Sequence, residues 1–538
     1  MSPASTRYQT PFYQNGVRRE IAWRPRCIVL GCLFACAAAL LVDQPACAEA
    51  EDYFGIRVID EQTGRGVPLV ELETVHRLRW VTDSGGWVAI DEPGLMNQRV
   101  FFHVRSHGYE YPPDGFGFAG VRLDLAAGQR ATIKIKRRNI AERLYRVTGE
   151  GLYRDSVLLG EATPLAEPLG SGLVVGQDSA FAELYQGKIH WFWGDTSRLS
   201  YPLGHFWMAA ATSELPEHGG LDPSQGVNLR YFVDQDGFSR PVARLGVERG
   251  MIWADGFLTL PDDTGRERLV CHYAHMESLD KIVGHGLAVF DDEKQEFKLI
   301  KKLEMKDRTL FPAQAHPVRQ RDGDDEYLYF GEVFPQVRVK ADWQYYLDPS
   351  AYEAFTCLAD AADGDEHAAL LRDADGRVRY QWRRNAQPLD AAAEQQLIAA
   401  GRLPADQAHF LPLDADSGKP LVMHRGSVCW NAYRQRWVMI AGQLGGTPSL
   451  LGEIWYAEAA DLTGPWRLAE KIASHDQYSF YNPVQHPFFD QDGGRTIYFE
   501  GTYTHTFSGN PVATPRYDYN QIMYRLDLAD PRLKRVQK

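Results

Sequence analysis

Residues 176–195 read GQDSAFAELYQGKIHWFWGD, a stretch with a polar start, a short apolar strand, a turn containing glycine and a strongly aromatic second strand. The same plan recurs in WADGFLTLPDDTGRERLVCHYAH (253–275), AQAHPVRQRDGDDEYLYFGEVF (313–334), HRGSVCWNAYRQRWVMIAGQ (424–443) and YNPVQHPFFDQDGGRTIYFEGTY (481–503). Repetition of strand, turn and strand is typical of a radial array of small antiparallel sheets. The sequence therefore predicts an all-β fold in which residues 150–538 form a five-bladed β-propeller; a β-sandwich with long hairpins is the alternative.

The segment before these repeats, residues 53–137, alternates apolar and polar residues in the manner of β-strands. Clusters that favour turns, QTG at 62–64 and DSGG at 83–86, interrupt the alternation. This pattern resembles the small transthyretin-like or carboxypeptidase-regulatory-like β-sandwich, which is usually an accessory module. We therefore expect a small β-sandwich ahead of the propeller.

The spacing of the repeats breaks once, between the third and the fourth, where residues 341–420 include the segment PLDAAAEQQLIAAGRLP. Within it Leu389, Ala393, Leu397 and Ala400 recur at helical spacing, and the following glycine, at position 401, suits a helix C-cap. The sequence predicts a partly helical insertion between blades three and four. This insertion either walls one side of a binding groove or is a surface excursion without a role.

The first 48 residues have the layout of a cleaved secretory signal: basic residues up to Arg26, an apolar run at 27–42, then ACA. We expect cleavage near Ala48 and a secreted or periplasmic protein without a membrane partner after cleavage; a twin-arginine signal at Arg18 and Arg19 is the less favoured alternative. Four of the seven cysteines lie in this segment, so the rest allow at most one disulfide and stability must come from a hydrophobic core. The net charge of −13 argues against a nucleic-acid partner.

Carboxylates recur where a propeller exposes side chains to its central channel, at the beginnings of the first strands of the blades. Asp178 in GQDS and Asp255 in WADG hold this position in the first two repeats. Cleavage of a glycosidic bond needs one carboxyl kept protonated and another kept ionised. The candidates for a further carboxylate are Glu332, Glu453 and Glu500.

The succession of an aspartate, an apolar strand, a Gly-Lys turn and an aromatic strand resembles the five-bladed propeller glycoside hydrolases typified by family 43. The resemblance implies that Asp178 activates water, that Asp255 orients and tunes, and that a glutamate from a later blade protonates the leaving oxygen. Where those enzymes carry Glu-Gly-Pro, this chain has HRGS at 424–427, so the acid is not assigned by position. The stretch GSVCWNAYRQRWVMI (426–440) instead resembles a secreted propeller family that includes endo-D-arabinanases.

Side chains suited to binding a sugar accompany these carboxylates. Aromatic rings stack on sugars, and an arginine can hold a carboxylate or an acidic substrate group. No metal-ligand spacing and no cofactor motif is found from residue 150 onward, so neither a metal nor a cofactor is expected. Asp195, at the end of the first repeat, is interpreted as a capping or turn residue. The predicted substrate-binding residues are Trp253, Trp193, His316, Arg425, Tyr481, Asn482, His486 and Glu500.

These patterns predict a secreted glycoside hydrolase that cleaves a polysaccharide or oligosaccharide by carboxylate acid/base catalysis. The predicted catalytic residues are Asp178 as base or nucleophile, Asp255 as orienting carboxylate and Glu332 as acid, with Glu453 as the next candidate for the acid.

Two alternatives from other classes stay open at this point. The first is a non-catalytic carbohydrate-binding or adhesion propeller, which would use the same aromatic residues. The second is a polysaccharide lyase in which His316 or Tyr481 is the base and Arg425 neutralises a uronate. Only the hydrolase needs two unlike carboxyls within about 10 Å of one another.

Overall fold

A computed structural model describes residues 50–310, 316–359 and 368–537, whose regular structure is mostly β-strand. The all-β fold class is thereby confirmed. The predicted signal segment, residues 1–48, lies outside the described residues. Within the three described ranges, no helix is both long and apolar enough to cross a membrane.

The first part of the described chain contains two four-stranded sheets, with strand orders β4-β1-β8-β6 and β3-β2-β5-β7; that they form the predicted transthyretin-like sandwich stays a prediction. Ile56 and Ile133 of one sheet share a buried apolar cluster with Leu72 and Phe102 of the other. The alternation in the sequence thus reflects two sheets packed face to face. The strands are β1 (Phe54–Asp60), β2 (Glu71–Thr74), β3 (Arg79–Val81), β4 (Trp87–Ile90), β5 (Arg99–Arg105), β6 (Tyr109–Glu110), β7 (Gly120–Asp124) and β8 (Arg130–Arg137).

After these two sheets come β9 (Glu142–Arg146), the short helix α1 (Arg154–Leu158) and β10 (Val174–Gln177). Five sheets of four or five strands then follow one another through the described residues. The first two contain β11 (Phe181–Tyr185), β12 (Lys188–Trp193), β15 (Ala209–Ser213) and β16 (Arg230–Tyr231), then β17 (Met251–Pro261), β18 (Glu267–Ser278), β19 (Lys281–Asp291) and β20 (Glu296–Leu303). In a further small sheet, β13 (Thr196–Arg198) lies between β10 and β14 (Tyr201–His205) and pairs with both.

The third sheet contains β21 (Val318–Asp322), β22 (Asp325–Phe330), β23 (Val337–Lys340), β24 (Glu353–Thr356) and β25 (Gln381–Arg384). The fourth contains β26 (Leu413–Asp414), β27 (Met423–Asn431), β28 (Arg436–Gln443), β29 (Glu453–Ala459) and β30 (Leu468–Ser474). The fifth contains β31 (Ser479–Gln485), β32 (Thr496–Thr504) and β33 (Asn520–Asp527), together with β9. Each sheet thus corresponds to one of the five sequence repeats.

The fifth sheet is completed by β9, a strand that precedes all five repeats in the sequence. Strand β9 pairs antiparallel with β33, with Arg146 opposite Ile522. Arg525 on β33 donates to one carboxylate oxygen of Glu142 on β9, from Nε at 2.9 Å and from Nη2 at 2.6 Å. The pairing covers the edge of β33, whose backbone groups would otherwise be unpaired.

Each of the five sheets packs against the next, and the last packs against the first. Buried clusters join sheets one and two, two and three, three and four, and four and five. A further cluster contains Trp191 and Ala211 of the first sheet with Tyr498 and Met523 of the fifth. This cyclic order of packing is that expected of a closed ring of blades; the count of five blades around a channel stays a prediction.

The range 341–420, predicted as an insertion, contains two strands of the third sheet (β24 and β25), one of the fourth (β26) and the expected helix, α3 (Ala391–Ala399). The Asp390 side chain accepts a hydrogen bond of 2.7 Å from the Ala393 amide, which caps the helix N-terminus. Gly401 follows the helix with φ 67°, where a glycine carries no steric cost. The other described helices are α1, α2 (Trp343–Leu347) and the 3-10 turns Ala50–Asp52, Pro216–His218, Met305–Leu310, Pro349–Ala351, Ala405–Gln407, Pro487–Phe489, Asp492–Gly494 and Pro531–Gln537.

Candidate functional site

Asp178 lies between β10 and β11 and is the centre of the candidate site. The Tyr481 hydroxyl donates to its Oδ2 at 2.9 Å, and the Tyr519 hydroxyl and the Asp195 backbone N–H also donate to its carboxylate. Burial raises the pKa of Asp178, while these donors and the charge of Arg425 oppose that rise. Three donors aimed at one half-buried carboxylate favour its ionised form.

The hairpin of β11 and β12 places Asp195 directly opposite Asp178. In this hairpin Phe181 pairs with Phe192, and the same register continued outward by three residues pairs position 178 with position 195. The Gly194 amide donates to the Asp178 carbonyl at 2.9 Å, and a Cβ at Gly194 would lie 2.4 Å from Asp178 Oδ1. Only glycine therefore allows the two strand ends to approach this closely.

The carboxyl of Asp195 has very different surroundings. Burial and the neighbouring charge of Asp178 raise its pKa to about 7, and a hydrogen bond from the side chain of Trp253 opposes the rise only in part. Its Oδ1 is buried and accepts no hydrogen bond from any residue of the described ranges. The pair thus consists of one carboxyl with three hydrogen-bond donors and one with a single donor and a pKa of about 7.

Three residues around Asp178 have backbone conformations that are rare outside glycine. Ser179, Asn482 and Tyr519 have φ values of 54°, 50° and 61°, in the left-handed region that side chains other than asparagine disfavour. The side-chain amide of Asn482 donates to Ser179 Oγ at 2.7 Å, and the backbone N–H of Ser179 donates to Thr502 Oγ1 at 2.9 Å. Strained backbone held in place by such contacts clusters at functional sites.

Arg425 and Glu332 are neighbours at the start of the fourth sheet. Arg425 is half-buried at the beginning of β27, and the next amide, of Gly426, donates to the Glu332 carbonyl at 3.2 Å. Desolvation and the charge of Asp390 raise the pKa of Glu332, and Arg425 opposes that rise. Because Asp390 caps α3, the helix of the insertion reaches the neighbourhood of Glu332.

The two predicted histidines lie close to each other and to Arg425. Burial, His486 and Arg425 lower the pKa of His316 to about 3, and its ring centroid is 5.4 Å from that of Phe181. His486 is fully buried, and its Nε2 is 2.7 Å from Oε1 of Glu500, which is also fully buried. His486 and Glu500 therefore form an internal pair without a solvent-facing surface.

Of three other predicted residues, Glu453 and Trp193 are buried elsewhere in the sheets, whereas Asp255 is half-buried on β17 and its role stays a prediction. Asp255 lies on β17 opposite His272, and its charge contributes to raising the pKa of Cys271. Glu453 is fully buried, with Lys471 Nζ at 2.6 Å from Oε2. Trp193 is fully buried and lies in the cluster between the first and fifth sheets, so it has no surface for a sugar.

Sequence reasoning missed Tyr519 and misread Asp195, whose contacts are not those of a capping residue. The signal for Asp195 was available: the two-residue turn at Gln186 and Gly187, both with positive φ, sets the hairpin register. Tyr519 was not predicted because it lies in the loop before β33, beyond the repeated strand, turn and strand at 481–503. Among the described residues, no group of three or more metal-ligating side chains occurs.

Comparisons with known proteins find no matching family model and no matching curated protein. Solved structures with a similar arrangement include an exo-β-1,3-galactanase from Phanerochaete chrysosporium with galactose, at 10% identity and TM-score 0.35, covering 66% of this chain and 61% of that one. A GH43_1 enzyme from Xanthomonas citri with xylotriose has 13% identity and TM-score 0.31, covering 66% and 88%. An exo-β-1,3-galactanase from Clostridium thermocellum has 11% identity and TM-score 0.34, covering 64% and 58%. Similarity at this level identifies neither the family nor the substrate of this chain.

Proposed function

We propose that this chain is a glycoside hydrolase on a five-bladed β-propeller, with Asp178 as the ionised carboxylate and Asp195 as the proton donor. The observation that carries the proposal is that two half-buried aspartates face each other across one hairpin in opposite electrostatic surroundings. Pairs of carboxyls whose environments push their pKa values apart are the usual basis of acid/base assignment in glycosidases. The cyclic packing of the five sheets supports the propeller.

The proposed chemistry needs only these two carboxyls and water. Asp195 gives its proton to the leaving glycosidic oxygen as the bond to the anomeric carbon breaks. Asp178 either takes the proton of an attacking water or first bonds to the anomeric carbon. The first route inverts and the second retains the anomeric configuration, so NMR of the anomer that is released first separates the two routes. Arg425 and Glu332 lie on the adjoining wall, where they would bind hydroxyls of the substrate.

A lyase receives less support from the same geometry. The Tyr481 hydroxyl donates a hydrogen bond to Asp178, and burial and the Asp178 charge raise the pKa of Tyr481 well above the ordinary value. His316, with a pKa of about 3, holds a proton too weakly to be an efficient base near neutral pH. The two bases that a lyase would use are thus both poorly matched to abstracting a sugar proton.

We propose a polysaccharide outside the cytoplasm as the substrate. The support is the secretory layout of residues 1–48 and the excess of negative charge, which disfavours nucleic acid. Similar solved structures contain galactose or xylotriose; panels for this chain should include galactans, xylans and arabinans.

The experiment is reducing-sugar release from such a panel by the mature protein and by the variants Asp178→Asn, Asp195→Asn and Glu332→Gln. Asp236→Asn, in an exposed turn, is the matched control. We expect the first two variants to lose about a thousandfold or more of the activity, in line with removal of acid/base groups. Glu332→Gln should retain most of kcat and raise KM.

The pH profile gives a second readout. Because Asp195 must be protonated, activity should fall as pH rises above about 7, its pKa. Loss of activity in Glu332→Gln with full activity in Asp195→Asn would instead make Glu332 the acid. Binding of a polysaccharide without release of sugar by the wild type would establish an adhesion protein.

A further inference from the structure

An exposed aromatic side chain without a role in the proposed chemistry lies at the edge of the candidate site. Phe507 is in the loop between β32 and β33 and is 61% exposed. Its φ is 65°, in the left-handed region that bulky side chains rarely adopt. A single exposed aromatic needs no explanation, but one that also strains its backbone does.

The position of Phe507 is tied to the reacting carboxylate by one intermediate residue. Its ring centroid lies 6.2 Å from that of Tyr481, in an edge-to-face arrangement at 71°. The hydroxyl of that same tyrosine donates to Asp178 Oδ2. The exposed ring therefore borders the site within the length of one tyrosine side chain.

Hydrogen bonds hold the loop on both sides of Phe507. Ser479 Oγ donates to the Thr506 carbonyl at 2.7 Å, and Ser508 Oγ donates to the His505 carbonyl at 2.5 Å. These two hydrogen bonds fix the backbone on both sides of Phe507. A flat ring that is open to solvent, attached to a fixed backbone and in contact with Tyr481 is positioned to bind a ligand with little rearrangement of the loop.

Neither the strain nor the exposure of Phe507 serves the fold. Glycine would adopt the same φ without a steric cost, and a polar residue would be better solvated. Strain that persists next to a functional site points to a role in that site.

We propose that Phe507 is a sugar-stacking platform, which binds the apolar face of a sugar ring adjacent to the one that is cleaved. The inference rests on the proposed function, since it takes the substrate to be a carbohydrate. It adds a subsite on the loop between β32 and β33, outside the carboxylates and the arginine already described.

The test measures binding and folding separately. Isothermal titration calorimetry is run with xylotriose, arabinotriose and β-1,3-galactotriose as probes. Every protein carries Asp178→Asn, so that the probe is not turned over, and it is measured alone and with Phe507→Gly or Phe507→Trp added. Leu173→Gly is the matched control, because Leu173 is also exposed and has φ 51°. Thermal unfolding is recorded for every variant.

We expect Phe507→Gly to weaken binding of the best probe about tenfold, while Phe507→Trp retains or strengthens it. The unfolding temperature of Phe507→Gly should stay unchanged or rise slightly, since glycine relieves the strain. Leu173→Gly should leave binding unchanged.

Unchanged binding in Phe507→Gly, or an unfolding temperature lowered by several degrees, would overturn the platform and leave the hydrolase proposal standing. If none of the three probes binds the Asp178→Asn protein, the platform is overturned as a trisaccharide subsite. Sugar release by the wild type then decides separately whether the hydrolase proposal survives.

Discussion

The contrast between Asp178 and Asp195 shows how hydrogen-bond donors, rather than residue type, decide the role of a side chain. Both are half-buried aspartates at matching positions of one hairpin. Asp178 accepts from two tyrosine hydroxyls and a backbone amide, whereas Asp195 receives one side-chain donor and faces a negative charge. Since each donor stabilises the ionised form, counting donors predicts which carboxyl holds the proton.

This leads to a prediction for Tyr481→Phe. Removing the hydroxyl removes a donor to ionised Asp178, so the pKa of Asp178 rises. Activity needs that carboxylate ionised, so the acidic limb of the pH–activity profile should move to higher pH by about one unit, the equivalent of a hydrogen bond to a charged group. A profile that does not move would show that Asp178 is not the ionised partner.

Tyr498→Phe is the control for this measurement. The Tyr498 hydroxyl donates to Gln491 at 2.8 Å on the same sheet. It touches neither carboxyl of the pair, so the limb should stay where it is in the wild type.

At the scale of elements, α3 was predicted as a helix, but its position beside Glu332 could not be predicted. Its helical spacing and the glycine after it follow from the sequence pattern, but Leu389 lies outside the helix, which begins at Ala391 after the N-cap Asp390. What the pattern did not indicate is that this same aspartate acts on Glu332, because 58 positions of chain separate the two and only the folded third and fourth sheets bring them together.

Asp390 gives a prediction with an internal control. Asp390→Ala removes the acceptor for the Ala393 amide and should destabilise α3 by about 1 kcal/mol, seen as faster hydrogen exchange of its amides. Asp390→Asn keeps an acceptor and should exchange at the wild-type rate. Equal acceleration in both variants would mean that the charge, and not the cap, stabilises the helix.

The hairpin of β11 and β12 marks how far the sequence can specify the site. A two-residue turn and the register it sets place Asp178 opposite Asp195, although the sequence pattern at Asp195 had indicated a capping or turn residue. The sequence could not tell that Trp193 is internal, because β12 is buried on both faces and an aromatic strand looks the same in either case. Nor could it show that Glu453 is paired with Lys471, which lies on a neighbouring strand 18 positions later.

For the whole molecule, the ion pair that joins β9 to β33 should contribute more to the free energy of unfolding than exposed ion pairs of similar geometry. Glu142 is 4% exposed in its side chain, and its partner Arg525 donates twice to it. Removing one partner of a buried pair leaves a charge without compensation. The stability of the closed arrangement should therefore depend on this one contact.

We expect Arg525→Ala to lower the free energy of unfolding by about 3 kcal/mol, measured by urea denaturation. Arg495→Ala is the matched control, since Arg495 pairs with Asp527 of the same strand but both side chains are about half exposed. Its loss should cost less than about 1 kcal/mol. Similar losses in both variants would argue that the closure contributes no more than an ordinary surface contact.

The pairing of β9 with β33 also determines when during synthesis the fifth sheet can form. Glu142 precedes Arg525 by 383 residues, so a ribosome that adds about 5–20 residues per second needs roughly 20–80 s between the two. Throughout this interval the first strand of the final sheet has been made while its partner does not yet exist. The two sheets that precede β9 can fold early on the nascent chain, whereas the last sheet has to wait for the far end of the message to be translated.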